Sequence, residues 1–113
     1  MPEGAQPASD EFPFPVPEGW GELEPFAEEK VGGDMRMFAS YEFPGDVTAA
    51  DAAYRALLAR AGYAVSANPL MEITNDAAFT VQGPVNGDAY TGSVAFDTDA
   101  DGVQRANIDL QKD

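Results

Sequence analysis

Only one stretch of this chain repeats its apolar residues at helical spacing, and nearly everything around it alternates as strands do. Ala50, Tyr54, Leu57, Leu58 and Ala61 share one face at the i, i+4, i+7, i+8 positions. Thr48, a good N-cap type with Asp51 three residues on, opens the segment. Gly62 suits the left-handed position after the last turn, and Tyr63 can fold back on Leu58 as in a Schellman ending. The spacing predicts a helix over Thr48 to Ala61 whose alanine-rich face lies close to a sheet. Asp51 and Arg55 are expected to pair on its outer face, a contact worth only ~0.3–0.5 kcal/mol.

Strand signals flank that helix. Gly21 to Lys30 and Asp34 to Phe43 are joined by Gly32-Gly33, which supplies the positive φ of a tight hairpin, and Met35, Met37, Ala39, Tyr41 and Phe43 alternate with mostly polar neighbours. Downstream, Tyr63 to Ala67, Leu70 to Thr74 and Ala78 to Gln82 read as extended, with turns at Gly83-Pro84 and Asn86-Gly87. Ala89 to Phe96 and Val103 to Leu110 form the clearest hairpin. The expected fold is α+β: an antiparallel sheet of about five to six strands in β-β-α-β-β-β order, with one helix packed on one face.

Residues 1–17 read as a proline-rich, acidic leader ahead of a single domain over residues 18–113. Phe12-Pro13-Phe14-Pro15-Val16-Pro17 alternates proline with apolar residues, which favours extended polyproline II over helix. The prolines suit a ligand for a proline-recognising partner or a spacer, but apolar residues beside prolines usually find a core, and Phe12 and Phe14 are rather expected to pack on the edge of the domain as it begins. Trp20, between two glycines, is expected to cap the core.

The net charge of −14 is uneven: residues 1–29 hold eight acids and no base. The expected folded body is therefore only moderately acidic, which weighs against a mimic of nucleic-acid phosphates. Six scattered cations do not make a phosphate-binding patch, so nucleic acid is not an expected partner. The chain contains no cysteine and no histidine. Disulfides, thiol catalysis, sulfur-ligated metals and the commonest general base are thereby excluded. No serine has a histidine to activate it, no phosphate-binding glycine motif is present, and the expected protein is not an enzyme.

The one constellation with ligand-type spacing is Asp97-Thr98-Asp99-Ala100-Asp101-Gly102. Alternate carboxylates on a sharp turn suit a hard cation, and Asp97, Asp99, Asp101 and the carbonyl of Val103 form a candidate calcium set. The bidentate glutamate of a full calcium loop is missing, Ile108 standing at that position. The competing reading is an acidic hairpin turn with solvated carboxylates. No other cofactor is expected.

Three features together resemble a known group of proteins: the opening Phe12-Pro13-Phe14-Pro15-Val16-Pro17-Glu18-Gly19, the helix pattern Tyr54-x-x-Leu57-Leu58-x-x-Ala61-Gly62-Tyr63, and a last hairpin turning at Asp101-Gly102. Over residues 11–111 the chain resembles the small lipoprotein-type extracytoplasmic domains of high-GC Gram-positive bacteria. The resemblance implies a place on the outer face of the cell envelope, tethered or secreted, although the chain shows neither a signal segment nor a lipid-bearing cysteine. The expected function is a non-enzymatic binding or accessory domain, monomeric, acting on a protein or envelope component. A cytoplasmic inhibitor or immunity-type protein that meets a basic partner is the alternative, and a weakly calcium-stabilised module is a further one. No apolar run is long enough to span a bilayer.

Overall fold

Six strands form one antiparallel sheet, and a single helix covers part of one face. The computed structural model describes residues 2–113. In chain order the elements are β1 (Ala5–Pro7), β2 (Pro15–Pro17), β3 (Gly21–Val31), β4 (Asp34–Glu42), α1 (Val47–Arg60), β5 (Ala64–Ala67), α2 (Pro69–Glu72), β6 (Ala77–Val85), β7 (Asp88–Thr98) and β8 (Gln104–Lys112). The main sheet runs β3-β4-β8-β7-β6-β5, every neighbouring pair antiparallel, and β1 with β2 makes a separate two-stranded ribbon. Strands β4 and β5 consequently point the same way, and α1 is the crossover that carries the chain from one side of the sheet to the far edge. The radius of gyration of 13.1 Å is that of a compact domain of this length. No helix among the described residues is long and apolar enough to cross a membrane.

The antiparallel sheet with a helix on one face matches the expected class, but the order of elements differs. A strand pair precedes the first expected hairpin, and the segment expected to be extended at Leu70 to Thr74 contains α2 instead. Asn68 caps that short helix by accepting the Met71 amide at 3.3 Å, and Pro69 stands in its first turn, where a missing N–H costs nothing. Gly83-Pro84 continues β6 instead of turning. Pro84 pairs with Ala89, beyond the last β5–β6 pair at Ala64 and Gln82, so its nitrogen is not needed by a ladder on the other side. The cap of α1 lies two residues earlier than expected: the Asp46 carboxylate accepts the Ala49 amide at 2.8 Å. At its other end Gly62 takes φ 93° and the Tyr63 amide reaches the Leu58 carbonyl at 3.0 Å, the Schellman arrangement.

The proline-rich segment is the larger correction. Phe12, Phe14 and Val16 are buried in the same core as the sheet and helix, with Phe14 1% exposed. Gln6 pairs with Val16 and Pro7 with Pro15, so residues 5–17 fold as a ribbon and not as a free polyproline stretch. The reason is one of area. A helix is ~10 Å across, while five spacings of ~4.8 Å make a six-stranded sheet ~24 Å wide, so one helix leaves apolar sheet uncovered. The prolines fix the backbone of this segment and its apolar residues supply the second cover. Tyr41 donates to the Ala8 carbonyl at 3.4 Å and Tyr54 to that of Pro15 at 2.7 Å, which fastens the ribbon to the sheet and to the helix. Trp20 packs beside Phe43 and Tyr54, with ring centroids 5.4 and 5.2 Å away.

Candidate ligand-binding cleft

The two covers do not meet everywhere. Beyond the reach of α1, on the core face near the β6–β7 turn, a cleft of about 400 Å³ remains between the sheet and the 9–12 loop. Its apolar wall comes from Phe12 on that loop, Phe26 on β3, Met35 and Met37 on β4 and Tyr90 on β7. Ser9, Glu11, Ala27, Glu28, Asn86, Asp88 and Lys112 complete the lining. Phe12 sits against Phe26 at 4.9 Å and edge-on to Tyr90 at 5.1 Å, so the aromatic wall is continuous.

The 9–12 loop is held in place by its own chemistry. The Ser9 hydroxyl accepts the Phe12 amide at 2.8 Å, and the Asn86 side chain donates to the Glu11 carbonyl at 2.7 Å. Asn86 takes a positive φ of 53°, a conformation that asparagine tolerates better than most residues. The β6–β7 turn therefore fixes the loop that forms one lip of the cleft. Burial pushes the Tyr90 hydroxyl above its ordinary range; Asp88 and Glu28 add to the rise while Lys112 opposes it. Lys112 is itself 3.4 Å from Asp88, which leaves Glu11 and Glu28 as the unneutralised charges of the cleft. The arrangement offers apolar surface flanked by negative charge.

A second hollow of about 400 Å³ lies on the opposite face of the sheet, lined by Glu24, Phe38, Ser40, Asn107, Asp109 and Met71 among others. Its polar groups are largely occupied by one another. Ser40 donates to Asn107 at 2.8 Å, Asn107 to Asp97 at 3.4 Å, and Arg105 to Glu24 at 3.2 Å. A ligand there would have to displace bonds already made.

The acidic loop that forms the candidate cation set does not converge. Asp99 turns one carboxylate oxygen inward, accepting the amides of Asp101 at 2.9 Å and Val103 at 3.0 Å, and its other oxygen lies 3.8 Å from Arg105. The Val103 carbonyl accepts the Asp99 amide at 3.0 Å. Asp97 stands on the open face of β7 beside Asn107. Among the described residues no group of three acids is placed to hold a metal ion. Asp99, Asp101 and Val103 thus build a self-bonded turn, in which the Asp99 carboxylate is taken by amides of its own loop, while Asp97 remains on the strand beside Asn107.

None of the cleft residues stands out by motif. The signal available in the sequence was the mismatch between one fourteen-residue helix and a wide sheet, with Met35 and Met37 extending the apolar face beyond what a single helix covers. What the fold and the cleft define together is a small α+β domain with a partly covered sheet face. Comparison with protein-family models, with curated proteins and with solved structures finds no match to this chain.

Proposed function

We propose that the protein is a non-enzymatic binding module whose ligand site is the cleft between the 9–12 loop and the β3, β4 and β7 strands. The observation that carries this reading is the cleft itself, in which half-buried Phe26 and Met35 stand over the buried Phe12, Met37 and Tyr90 beside Glu11 and Glu28. Its volume lies within the range of small-molecule and side-chain pockets, ~300–1,000 Å³. An apolar wall with uncompensated carboxylates at the rim favours a ligand that has an apolar body and a positive charge. The lining favours binding over turnover: the chain has no histidine or cysteine, and the Ser9 hydroxyl already accepts the Phe12 amide. The resemblance to envelope lipoprotein-type domains supports reading the module as an accessory binding domain outside the cytoplasm.

The test is a titration with phenethylammonium and, at matched ionic strength, with phenylacetate, followed by the methyl resonances of Met35 and Met37 and the ring of Tyr90. The ammonium compound is expected to shift these signals saturably and the carboxylate to leave them in place. Equal responses to the two probes, or none, overturn the reading.

A further inference from the structure

We propose that β3 accepts a basic, extended segment of a partner protein as an added strand, whose side chains enter the cleft; the proposal rests on the cleft being the binding site. Strand β3 is an outer strand of eleven residues, hydrogen-bonded to β4 alone. The opposite edge, β5, has four. Only β3 has the length for a strand-sized partner.

Its backbone is ready for pairing. The turn at Gly32 and Gly33 has φ values of 59° and 92°, and Val31 pairs with Asp34 across it. That two-residue turn makes Val31 and Asp34 a hydrogen-bonded pair, so by the alternation of an antiparallel ladder Glu28 and Lys30 turn their amides and carbonyls away from β4, to the free edge. From Ala27 to Val31 the register with β4 is unbroken. The irregularities lie earlier in β3, between Glu22 and Ala27.

Charge selects the occupant. Glu22, Glu24, Glu28 and Glu29 all lie on this strand, against the single cation Lys30, and Asp34 follows the turn. Acids on an outer strand discourage pairing with another copy of the same edge, because like charges directly opposite one another repel. The same acids favour a strand carrying lysine or arginine. Phe26, Ala27 and Glu28 also form the outer wall of the cleft, so an added strand would stand directly against it. Four of the eight acids of residues 1–29 thereby lie on this outer strand.

The probe is a capped eight-residue peptide alternating lysine with valine, with two twins, one N-methylated at every lysine and one at every valine. Whichever set of amides faces β3, one twin loses its donors while charge and side chains remain. Binding is read by amide exchange at Glu28 and Lys30 and by the methyl signals of Met35 and Met37. Expected are slowed exchange at both amides, shifted methyl signals, and about a tenfold or greater loss of affinity for one twin only, as the loss of one or two hydrogen bonds would give. Methyl shifts with all three peptides bound alike overturn strand addition and leave the cleft reading standing. Slowed exchange without methyl shifts leaves edge pairing standing and overturns the cleft. No response in either overturns both.

Discussion

Tyr54, in the middle of α1, donates its hydroxyl proton to the Pro15 carbonyl at 2.7 Å across 39 residues of sequence, and both groups are buried. The Pro15 carbonyl faces the core and is satisfied by that phenol. Tyr54→Phe keeps the ring and strands the carbonyl, with an expected cost of ~1–3 kcal/mol in urea unfolding. Tyr63→Phe removes a comparable bond to Pro84 in an exposed setting and is expected to cost less than ~1 kcal/mol. Equal losses would mean that the bond to the ribbon is not special.

Phe14 tests whether the N-terminal ribbon is structural. It is buried against Tyr63 at 5.2 Å, and Phe14→Ala is expected to destabilise the domain by ~3–5 kcal/mol, as large truncations in a core do. Removal of residues 1–17 is expected to abolish cooperative unfolding. A melting curve within a few degrees of the parent after that removal would restore the view of this segment as a dispensable leader.

Arg55 does more than pair along its helix. Its guanidinium meets Asp51 at 3.0 Å, donates to the Ala78 carbonyl at 2.9 Å, lies 3.7 Å from Glu72 and sits 5.1 Å from the centre of the Phe79 ring. It joins α1, α2 and β6. With about a third of its side chain in solvent, its loss is expected to cost ~1–2 kcal/mol in Arg55→Ala, above the ~0.5 kcal/mol of an ordinary surface pair. Arg55→Lys is expected to recover little, because an ammonium lacks the planar fork. Denaturant midpoints for the two variants decide the matter, and a change below ~0.5 kcal/mol for Arg55→Ala would reduce it to a surface contact.

Alkaline conditions are expected to loosen the fold. Burial, with Glu22 adding to it, pushes the Tyr41 hydroxyl up to about 12, and burial holds that of Tyr54 well above its ordinary value. Between the unfolded value of 10.0 and these raised values the folded chain binds more protons than the unfolded one. Stability is therefore fully present below about pH 10 and is lost as pH rises through the folded pKa. Thermal midpoints from about pH 8 to pH 12 should fall along that interval, and the fall should be shallower in Tyr54→Phe. A flat profile would contradict the assignment of these phenols to the core.

Local chemistry was readable in the sequence wherever partners are close along the chain. The hairpin at Gly32-Gly33, the Gly62 ending and the alternation of Val94 and Phe96 with their neighbours all depend on residues within a turn or a strand of one another. Distant partners decided the rest. Phe12 and Phe14 sit beside prolines in a pattern equally suited to a free linker, and only the exposed width of the sheet made them core. Asp97, Asp99 and Asp101 have ligand spacing, but the Asp99 carboxylate is bound by its own loop amides. The cleft joins the 9–12 loop, β3, β4, β7 and the end of β8, and no local pattern brings those segments together.

The position of β8 has a consequence for how the chain is made. The sheet's last strand in sequence is inserted between β4 and β7 and pairs with both. During synthesis the β3–β4 hairpin and the β5–β6–β7 meander emerge first, as two half-sheets with no strand in common. Each presents a long unpaired flank, β4 on one and β7 on the other, until a single late segment of nine residues closes both at once. A nascent chain halted before Gln104 holds two adhesive surfaces facing a vacancy, and any strand that fits the vacancy first, from a neighbouring nascent chain included, competes with the native closure.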